Sequence, residues 1–394
     1  GVLTLQAQAA PFAYITNSGG HTITVIDTAT DQVSATISGG GLNAPYGVAV
    51  NPAGTRVYVT NAGGNAVSVI NTSTNTVVDT ITVGNGPQGI AVNPAGTKVY
   101  VANHDGSNSV SVIDTSTNTV IQTISVGTGP FGIAVNPAGT KVYVANDNSG
   151  TVSIIDTLTY AVTSVTVGTQ PYGVAVNPAG TKVYVANFGS GSVSVIDTAT
   201  NEVTSIPVGG NPWGIAVNST GTRVYTTMSN NVAVIDTSDD SVATIGAAGT
   251  NLGISINPDD TKVYATDYNG RVSVIDASSN TVIATVGTGA SPVAHGKFIG
   301  TNMCTPFPAD MVSWWGGDNN ALDLVDTNHG IVQNGAAYAP GKINQAFSFD
   351  GTDDYVLIAD PVPASLQAIQ NEITIDAWIY VTEYPSSDMH YGLG

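Results

Sequence analysis

Short apolar runs alternate with clusters of Thr, Asn, Gly and Pro over the first three quarters of the chain. The pattern repeats at a period of about 41 residues, which marks an array of small supersecondary units. A Pro-x-Gly signature starts successive copies at Pro45, Pro87, Pro130, Pro171 and Pro212, and a degenerate copy starts at Asn251. The pattern of this region is therefore set mainly by its architecture.

Each copy contains four apolar runs, which we call strands a, b, c and d. In the copy that starts at Pro87, the pattern predicts strands over 90–92, 99–102, 110–113 and 120–124. Turn formers join a to b and c to d, and no helical period is present. The runs do not alternate cleanly between apolar and polar residues, so each sheet needs cover on both faces. A ring of stacked four-stranded sheets, a β-propeller, supplies that cover.

The two ends of the array predict the number of sheets, or blades. The first copy lacks strand a and begins with the strand at Phe12, whereas 292–299 is an isolated strand a. One missing strand and one surplus strand complement each other. The sequence therefore predicts seven blades, with the ring closed by the carboxyl-terminal strand of the array, which removes exposed sheet edges.

The b strands carry a family resemblance. Tyr58-Val-Thr-Asn61 and its equivalents resemble the YVTN propeller repeat of archaeal and bacterial surface-layer and secreted proteins; the other copies start at Tyr14, Tyr100, Tyr143 and Tyr184, with weaker ones at Tyr225 and Tyr264. The resemblance covers residues 11–300. It implies a seven-bladed, exported propeller, and it implies no single activity.

A different pattern follows the repeats. Residues 301–309 are predicted to be a linker, and 310–394 contain Ser313-Trp-Trp315, Phe347-Ser-Phe-Asp-Gly351 and Ile373-Thr-Ile-Asp-Ala-Trp378. This order resembles the front part of a laminin G-like, concanavalin-type jelly roll. The predicted fold class is therefore all-β: a seven-bladed propeller followed by a partial β-sandwich.

Residues 1–10 are predicted to be a signal-peptide remnant or a mobile terminus, since Ala7-Gln8-Ala9 matches a small-residue cleavage site. The first residue is not Met, and the jelly-roll pattern is incomplete. We therefore expect the chain to be a piece of a longer polypeptide.

Composition excludes several classes of protein. Nine basic residues oppose 28 acidic ones, and the net charge of −19 disfavours nucleic acid and anionic membranes as partners. A single cysteine excludes a disulfide framework within the chain. No apolar run reaches the roughly 18 residues of a membrane-spanning helix. These features predict an extracellular protein, either secreted or on the cell surface.

The order of the strands places the a–b and c–d turns at one end of the propeller and the b–c and d–a loops at the other. The first end has nearly uniform turns, and the second varies. Binding residues usually lie in variable loops on a rigid scaffold. The candidates for binding glycans or a protein segment are Tyr46, Phe131, Tyr172 and Trp213, with His104 and His295 beside them. The alternative is that the aromatic rings pack between blades as core.

The jelly-roll segment offers candidate metal ligands. Asp350 and Asp353 have the carboxylate oxygens that calcium prefers. The alternative is that they cap turns. No other cofactor is expected.

The predicted function is adhesion: an exported propeller that binds glycans or surface proteins, with assembly into a surface layer as a further expectation. The alternative is a secreted propeller enzyme of the lactonase or lyase kind. The three histidines of the propeller occupy different repeat positions, so no catalytic constellation can be assembled from sequence. The residue pattern therefore favours binding over catalysis and leaves the enzyme alternative open.

Overall fold

The computed structural model describes residues 11–300 together with 330–333, 337–340, 345–348 and 355–358. The chain divides into two compact units, Gly1–Pro306 and Phe307–Gly394. Within the described residues all regular structure is β-strand, with no helix.

In the first five blades each strand pairs with its sequence neighbour in antiparallel fashion. Blade 1 contains β1 (Phe12–Asn17), β2 (Thr22–Asp27) and β3 (Gln32–Ser38). Blade 2 contains β4 (Pro45–Val50), β5 (Arg56–Asn61), β6 (Ala66–Asn71) and β7 (Thr76–Thr82). Blade 3 contains β8 (Pro87–Val92), β9 (Lys98–Asn103), β10 (Ser109–Asp114) and β11 (Thr119–Ser125). Blade 4 contains β12 (Pro130–Val135), β13 (Lys141–Asn146), β14 (Thr151–Asp156) and β15 (Val162–Thr166). Blade 5 contains β16 (Pro171–Val176), β17 (Lys182–Asn187), β18 (Ser192–Asp197) and β19 (Val203–Pro207).

Blades 6 and 7 are joined into one six-stranded sheet. Its strands are β20 (Ile215–Val217), β21 (Arg223–Asp236), β22 (Val242–Ile256), β23 (Lys262–Asp267), β24 (Arg271–Asp276) and β25 (Thr281–Gly287). The long β21 replaces a b–c loop, because the Ser229–Asn231 connection is short and shifts the register instead of breaking the strand. The innermost strand β20 starts at Ile215, three residues after the signature proline of its copy, whereas β4, β8, β12 and β16 start at that proline.

A glycine on the innermost strand of each blade allows adjacent blades to approach closely. A Cβ atom built at these positions would lie 2.0–2.7 Å from a backbone carbonyl oxygen of the neighbouring blade. The seven positions are Gly47, Gly89, Gly132, Gly173, Gly214, Gly253 and Gly296. The glycine of the Pro-x-Gly signature is therefore required by a steric limit around the central axis.

The tyrosine of each b strand belongs to the core between blades. Tyr58 of blade 2, for example, is 2% exposed and packs in one cluster with Val99 and Val101 of blade 3. Burial of each such apolar side chain contributes roughly 1.5–3 kcal/mol. Stacking against neighbours on both sides explains why the strands are apolar on both faces.

The polar residues after this tyrosine also hold the blades. Thr60 Oγ1 donates to the backbone oxygen of Gln88 in the next blade at 2.8 Å. Asn61 Nδ2 donates to Ser68 Oγ on the adjacent strand at 2.9 Å. In blade 7 the buried Asp267 replaces the asparagine and pairs with Arg271 at 2.8 Å. The tyrosine, threonine and asparagine positions of the repeat thus have structural roles.

Residues 292–299 lie beside β1. The Tyr14 amide donates to the Phe298 oxygen at 2.9 Å, and the Val293 amide donates to the Thr16 oxygen at 2.9 Å. Phe298 and Ile299 are fully buried in the same cluster as Tyr14. The segment occupies, relative to β1, the place that strand a has relative to strand b in the other blades.

The second unit contains four short described strands. β26 (Gly330–Gln333) pairs with β29 (Tyr355–Ile358), and β27 (Ala337–Pro340) pairs with β28 (Gln345–Ser348). The rest of the predicted jelly roll, including Asp350 and Asp353, lies outside the described residues, as do residues 1–10 and 301–309.

Candidate functional site

The d–a and b–c loops meet at one end of the propeller, which we call the mouth; the opposite end is the hairpin end. Ring contacts at the mouth connect seven side chains, the mouth cluster: Tyr46, His104, Phe131, Tyr172, Phe188, Trp213 and His295. Four of the rings come from the same repeat position in blades 2, 4, 5 and 6, because the residue after each signature proline lies at or just before the start of an innermost strand; blade 3 has Gln88 at this position. The repeat itself therefore assembles these aromatic side chains.

Phe131 is the centre of the mouth cluster. Its side chain belongs to blade 4 and is only 6% exposed. Its ring centroid lies 5.7 Å from that of Tyr46 and 5.9 Å from that of Trp213, both in edge-on geometry. It also lies 5.8 Å from His104 and 5.3 Å from His295. One buried ring thus contacts both histidines of the cluster.

A second group of rings forms a half-buried wall. Tyr172 and Trp213 stack with centroids 4.2 Å apart and planes 25° from parallel. Phe188 packs edge-on against Trp213 at 5.4 Å. All three side chains keep partial exposure to solvent. This wall suits a flat or ring-shaped ligand, since aromatic faces favour stacked and edge-on contacts.

His295 enters the cluster from a widened turn of the chain. Most copies have one residue between the signature proline and glycine, whereas three residues separate Pro292 from Gly296. Ala294 and Gly296, on either side of His295, have φ angles of 41° and 116°. A positive φ at alanine is uncommon and indicates that the surrounding structure imposes this conformation.

The environment of His295 keeps it uncharged. The side chain is buried, and its Nε2 has no hydrogen-bond partner in the described part of the chain. Burial lowers its pKa from 6.5 to about 4, because desolvation disfavours the imidazolium ion. At neutral pH His295 is therefore an uncharged imidazole whose Nε2 has no partner in the described part of the chain.

The environment of His104 has the opposite effect. Its Nε2 lies 3.4 Å from Asp147 Oδ2, and its Nδ1 lies 2.8 Å from Asp105 Oδ1. The hydrogen bond with Asp147 is the main cause that raises the pKa of His104 to about 9, with burial opposing it and Asp105 adding to it. His104 is therefore a cation at neutral pH.

Further polar groups lack partners near this end. Gln88 Oε1 and Asp147 Oδ1 are inaccessible to solvent and have no hydrogen-bond partner among the residues that the structure describes. Buried polar atoms without partners are costly and are retained where a ligand or water completes them. The mouth therefore has unused hydrogen-bonding capacity beside an apolar wall.

The structure brings together all six propeller residues that the sequence singled out. The alternative, rings packed as core, holds for the buried Phe131 and does not hold for the partly exposed Tyr46, Tyr172 and Trp213. Sequence reasoning missed Asp147, which fixes the charge of His104, and Phe188 as part of the wall. Both residues lie in b–c loops, and the variation of these loops between repeats was the one sequence feature that could have identified them.

The described residues contain neither a candidate metal site nor a candidate membrane-spanning helix. Within residues 11–300 and the four short strands of the second unit, no three His, Cys, Asp or Glu side chains are grouped so that they could hold a metal ion. The predicted calcium ligands Asp350 and Asp353 lie outside this part. In the same part of the chain no helix has the length and apolarity to cross a membrane.

Comparison with known proteins identifies the propeller. A family model described as "Lactonase, 7-bladed beta-propeller" matches residues 71–159. No curated protein gives a significant sequence match to the chain.

Similar solved structures include hydrazine synthase from Kuenenia stuttgartiensis, with a TM-score of 0.62 and 23% identity over 70% of this chain and 98% of that chain. A protein of unknown function from Desulfotomaculum acetoxidans has a TM-score of 0.64 and 17% identity over 72% and 99%. The dihydro-heme d1 dehydrogenase NirN has a TM-score of 0.56 and 16% identity over 72% and 65%. At these identities the likeness establishes the fold alone.

The family match corrects the functional prediction. The prediction of an adhesion and carbohydrate-binding protein is wrong, because the matched family is described as a lactonase. The family match favours the alternative, a propeller enzyme. Residues 11–300 form a seven-bladed β-propeller, as the sequence predicted.

Proposed function

We propose that the chain is a hydrolase of small cyclic esters, with the mouth cluster as its active site. The observation that carries the proposal is the pair of histidines with opposite charge states against the ring of Phe131. Groups whose environments push their pKa values apart are suited to separate acid and base roles. The match of residues 71–159 to a lactonase family supports the choice of ester.

His295 is the general base in this mechanism. Its unpartnered Nε2 accepts a proton from a water molecule, and the water oxygen attacks the carbonyl carbon of the lactone. Because burial keeps the imidazole neutral at pH 7, the base is ready without a prior loss of a proton. Charge develops on the carbonyl oxygen as the new C–O bond forms.

His104 is the acid in this mechanism. Its positive charge, held by Asp147 and Asp105, stabilises the negative charge of the tetrahedral intermediate. When the ring C–O bond breaks, His104 gives its proton to the leaving alkoxide, and a hydroxy acid is the product. The stacked pair Tyr172 and Trp213 orients the ring of the substrate.

The test measures acid release from a panel of γ- and δ-lactones, beginning with γ-butyrolactone and δ-valerolactone. We expect His295→Gln to lower kcat by about 10²–10⁴-fold, the usual contribution of a general base. His21→Gln is the control, since His21 is an exposed histidine in the b–c loop of blade 1 and does not belong to the mouth cluster. Hydrolysis that is unchanged in His295→Gln, or absent from the whole panel, contradicts the proposal.

The pH dependence sharpens the same test. Activity requires neutral His295 and protonated His104, so kcat/KM rises as the pH increases through about 4 and falls as it increases through about 9. His104→Gln is expected to remove the fall on the alkaline side. A profile with its rise near pH 6.5, the ordinary value for histidine, speaks against His295 as the base.

The residue patterns support three further proposals about the chain. The first is an exported location, since the charge of −19 and the resemblance to YVTN repeats fit a protein outside the cell. We also include the laminin G-like character of 310–394 and calcium at Asp350 and Asp353. Secretion assays and calcium titration of the full chain test these parts separately.

A further inference from the structure

The innermost strands of the propeller carry a single charged side chain. Seven segments surround the central axis: β4, β8, β12, β16, β20, the end of β22 and residues 292–299. Among their residues, Lys297 is the one Lys, Arg, Asp or Glu. Lys297 lies two residues after His295, and its backbone oxygen accepts a hydrogen bond from Val50 of β4 at 3.3 Å. A lone charge has therefore been placed in an otherwise uncharged channel wall.

Lys297 differs from the other lysines of the described repeats. Lys262 pairs with Asp31 at 2.7 Å, and Lys98 contacts the hydroxyl of Tyr160 at 3.3 Å. Lys141 and Lys182 lie in the charge field of a turn aspartate, Asp156 and Asp197 respectively. No hydrogen bond or ion pair joins Lys297 Nζ to any residue in the described part of the chain.

The amine is both reachable and desolvated. The side chain of Lys297 is exposed to solvent. Because Lys297 belongs to an innermost segment, the solvent around it is that of the central channel. The surrounding protein lowers its pKa by desolvation, because no carboxylate compensates the ammonium charge. A lowered pKa increases the fraction of neutral amine, which is the nucleophilic form.

We propose that Lys297 is a covalent capture site for small aldehydes and ketones that enter the channel. The neutral amine attacks the carbonyl carbon to give a carbinolamine, which loses one water molecule and forms an imine. The step needs no oxidant or reductant and is reversible by water. The aromatic wall at the mouth favours aromatic carbonyl compounds over aliphatic ones of similar size.

The inference is independent of the proposed hydrolysis, since it uses a different side chain and a different reaction. The other use of a lone lysine in a channel is to bind an anionic group by charge. An ammonium held for ion pairing stays protonated and reacts slowly with carbonyl compounds, so reactivity separates the two uses.

The experiment treats the full chain at pH 7 with benzaldehyde and sodium cyanoborohydride, which reduces imines to stable benzylamines. Peptide mass spectrometry then compares the rates at the lysines of the described repeats. We expect Lys297 to be benzylated at least about fivefold faster than Lys141 and Lys182, and we expect unfolding in guanidinium chloride to abolish the difference. Labelling of Lys297 at or below the rate of those two lysines overturns the proposal.

A second measurement uses competition. Benzaldehyde and butyraldehyde at equal concentration are expected to label Lys297 of the native protein in a ratio that exceeds the ratio at Lys182. In Trp213→Ala, whose folding is checked by thermal unfolding, that excess is expected to fall. Equal ratios at the two lysines in the native protein overturn the role of the aromatic wall.

Discussion

The two ends of the propeller are made by the same repeat, yet they differ in what their loops contain. At the hairpin end the c–d turns are close copies of one another, and their aspartates accept hydrogen bonds from nearby backbone amides. At the mouth the loops differ from blade to blade and bring together rings, two histidines and unpartnered polar atoms. Uniformity along a repeat thus marks turn chemistry, whereas variation marks the side that can acquire chemistry.

The same residue type shows the contrast. Asp276 at the hairpin end is partly exposed and is held by the hydroxyls and amides of Ser278 and Ser279, which lower its pKa to about 2. Asp147 at the mouth is largely buried and directs its charge at His104. The first carboxylate stabilises a turn, and the second sets the protonation state of another side chain.

The largest expected effect concerns the narrow axis near the mouth. A Cβ at Gly132 would lie 2.0 Å from the Tyr172 oxygen, so Gly132→Ala forces two blades apart. We expect the free energy of unfolding to fall by about 1–3 kcal/mol, measured by urea denaturation. Gly246→Ala is the control, since a Cβ there meets nothing within 4 Å. Equal stability of the two variants would show that the glycine ring is not a steric requirement.

A smaller effect is expected at the hairpin end, where Asp31 links blade 1 to blade 7. Its Oδ1 accepts from the hydroxyl of Tyr264 at 2.6 Å, and its Oδ2 pairs with Lys262 at 2.7 Å. Asp31→Ala is expected to lower the free energy of unfolding by about 1–2 kcal/mol, because the buried Tyr264 hydroxyl loses its short hydrogen bond and keeps only the 3.4 Å contact with the Thr28 oxygen. Asp240→Ala removes the exposed aspartate at the same turn position of blade 6, which also has a positive φ, and is expected to lower the free energy of unfolding by less.

The smallest effect is a difference in how the two ends respond to pH. The raised pKa of His104 contributes stability that is complete below pH 6.5 and is lost as the pH rises through about 9. The lowered pKa of Asp276 contributes stability that is present above pH 4 and is lost as the pH falls towards 2. His104→Gln is therefore expected to lower the Tm at pH 6 and to leave it unchanged at pH 10, whereas Asp276→Asn lowers it at pH 6 and leaves it unchanged near pH 2.

Thermal unfolding across the pH range checks both variants. Because His104 is partly exposed, solvent screening keeps the expected Tm change to a few degrees at most. A His104→Gln variant that loses the same stability at pH 6 and pH 10 would show that packing against Phe131, and not charge, is what His104 contributes.

Strands and blade number were predictable because they depend on local and periodic features. Alternating turn and apolar segments fixed β8 to β11 to within three residues, and the seven copies fixed the number of blades. The glycine and tyrosine positions were visible as invariant places in the repeat, although the carbonyl contact that explains Gly132 was not. The merged strands β21 and β22 could not be predicted, because a short connection can either turn or continue a strand.

The sequence indicated which side chains come together at the mouth, but it did not indicate their charge states. Equivalent positions in a ring must converge on its axis, so Tyr46, Phe131, Tyr172 and Trp213 followed from the repeat alone. The charge of His104 depends on Asp147, which is 43 residues away in sequence and belongs to another blade. No local pattern encodes that contact.

The sequence by itself determined an all-β ring with seven blades, because periodic apolar segments can bury both of their faces only by stacking on one another. Tertiary structure alone decided which groups are charged at the mouth. Desolvation of His295, the Asp147 carboxylate beside His104 and the isolation of Lys297 depend on residues that are distant in sequence. A pKa reports these three-dimensional surroundings, which neighbours in sequence do not define.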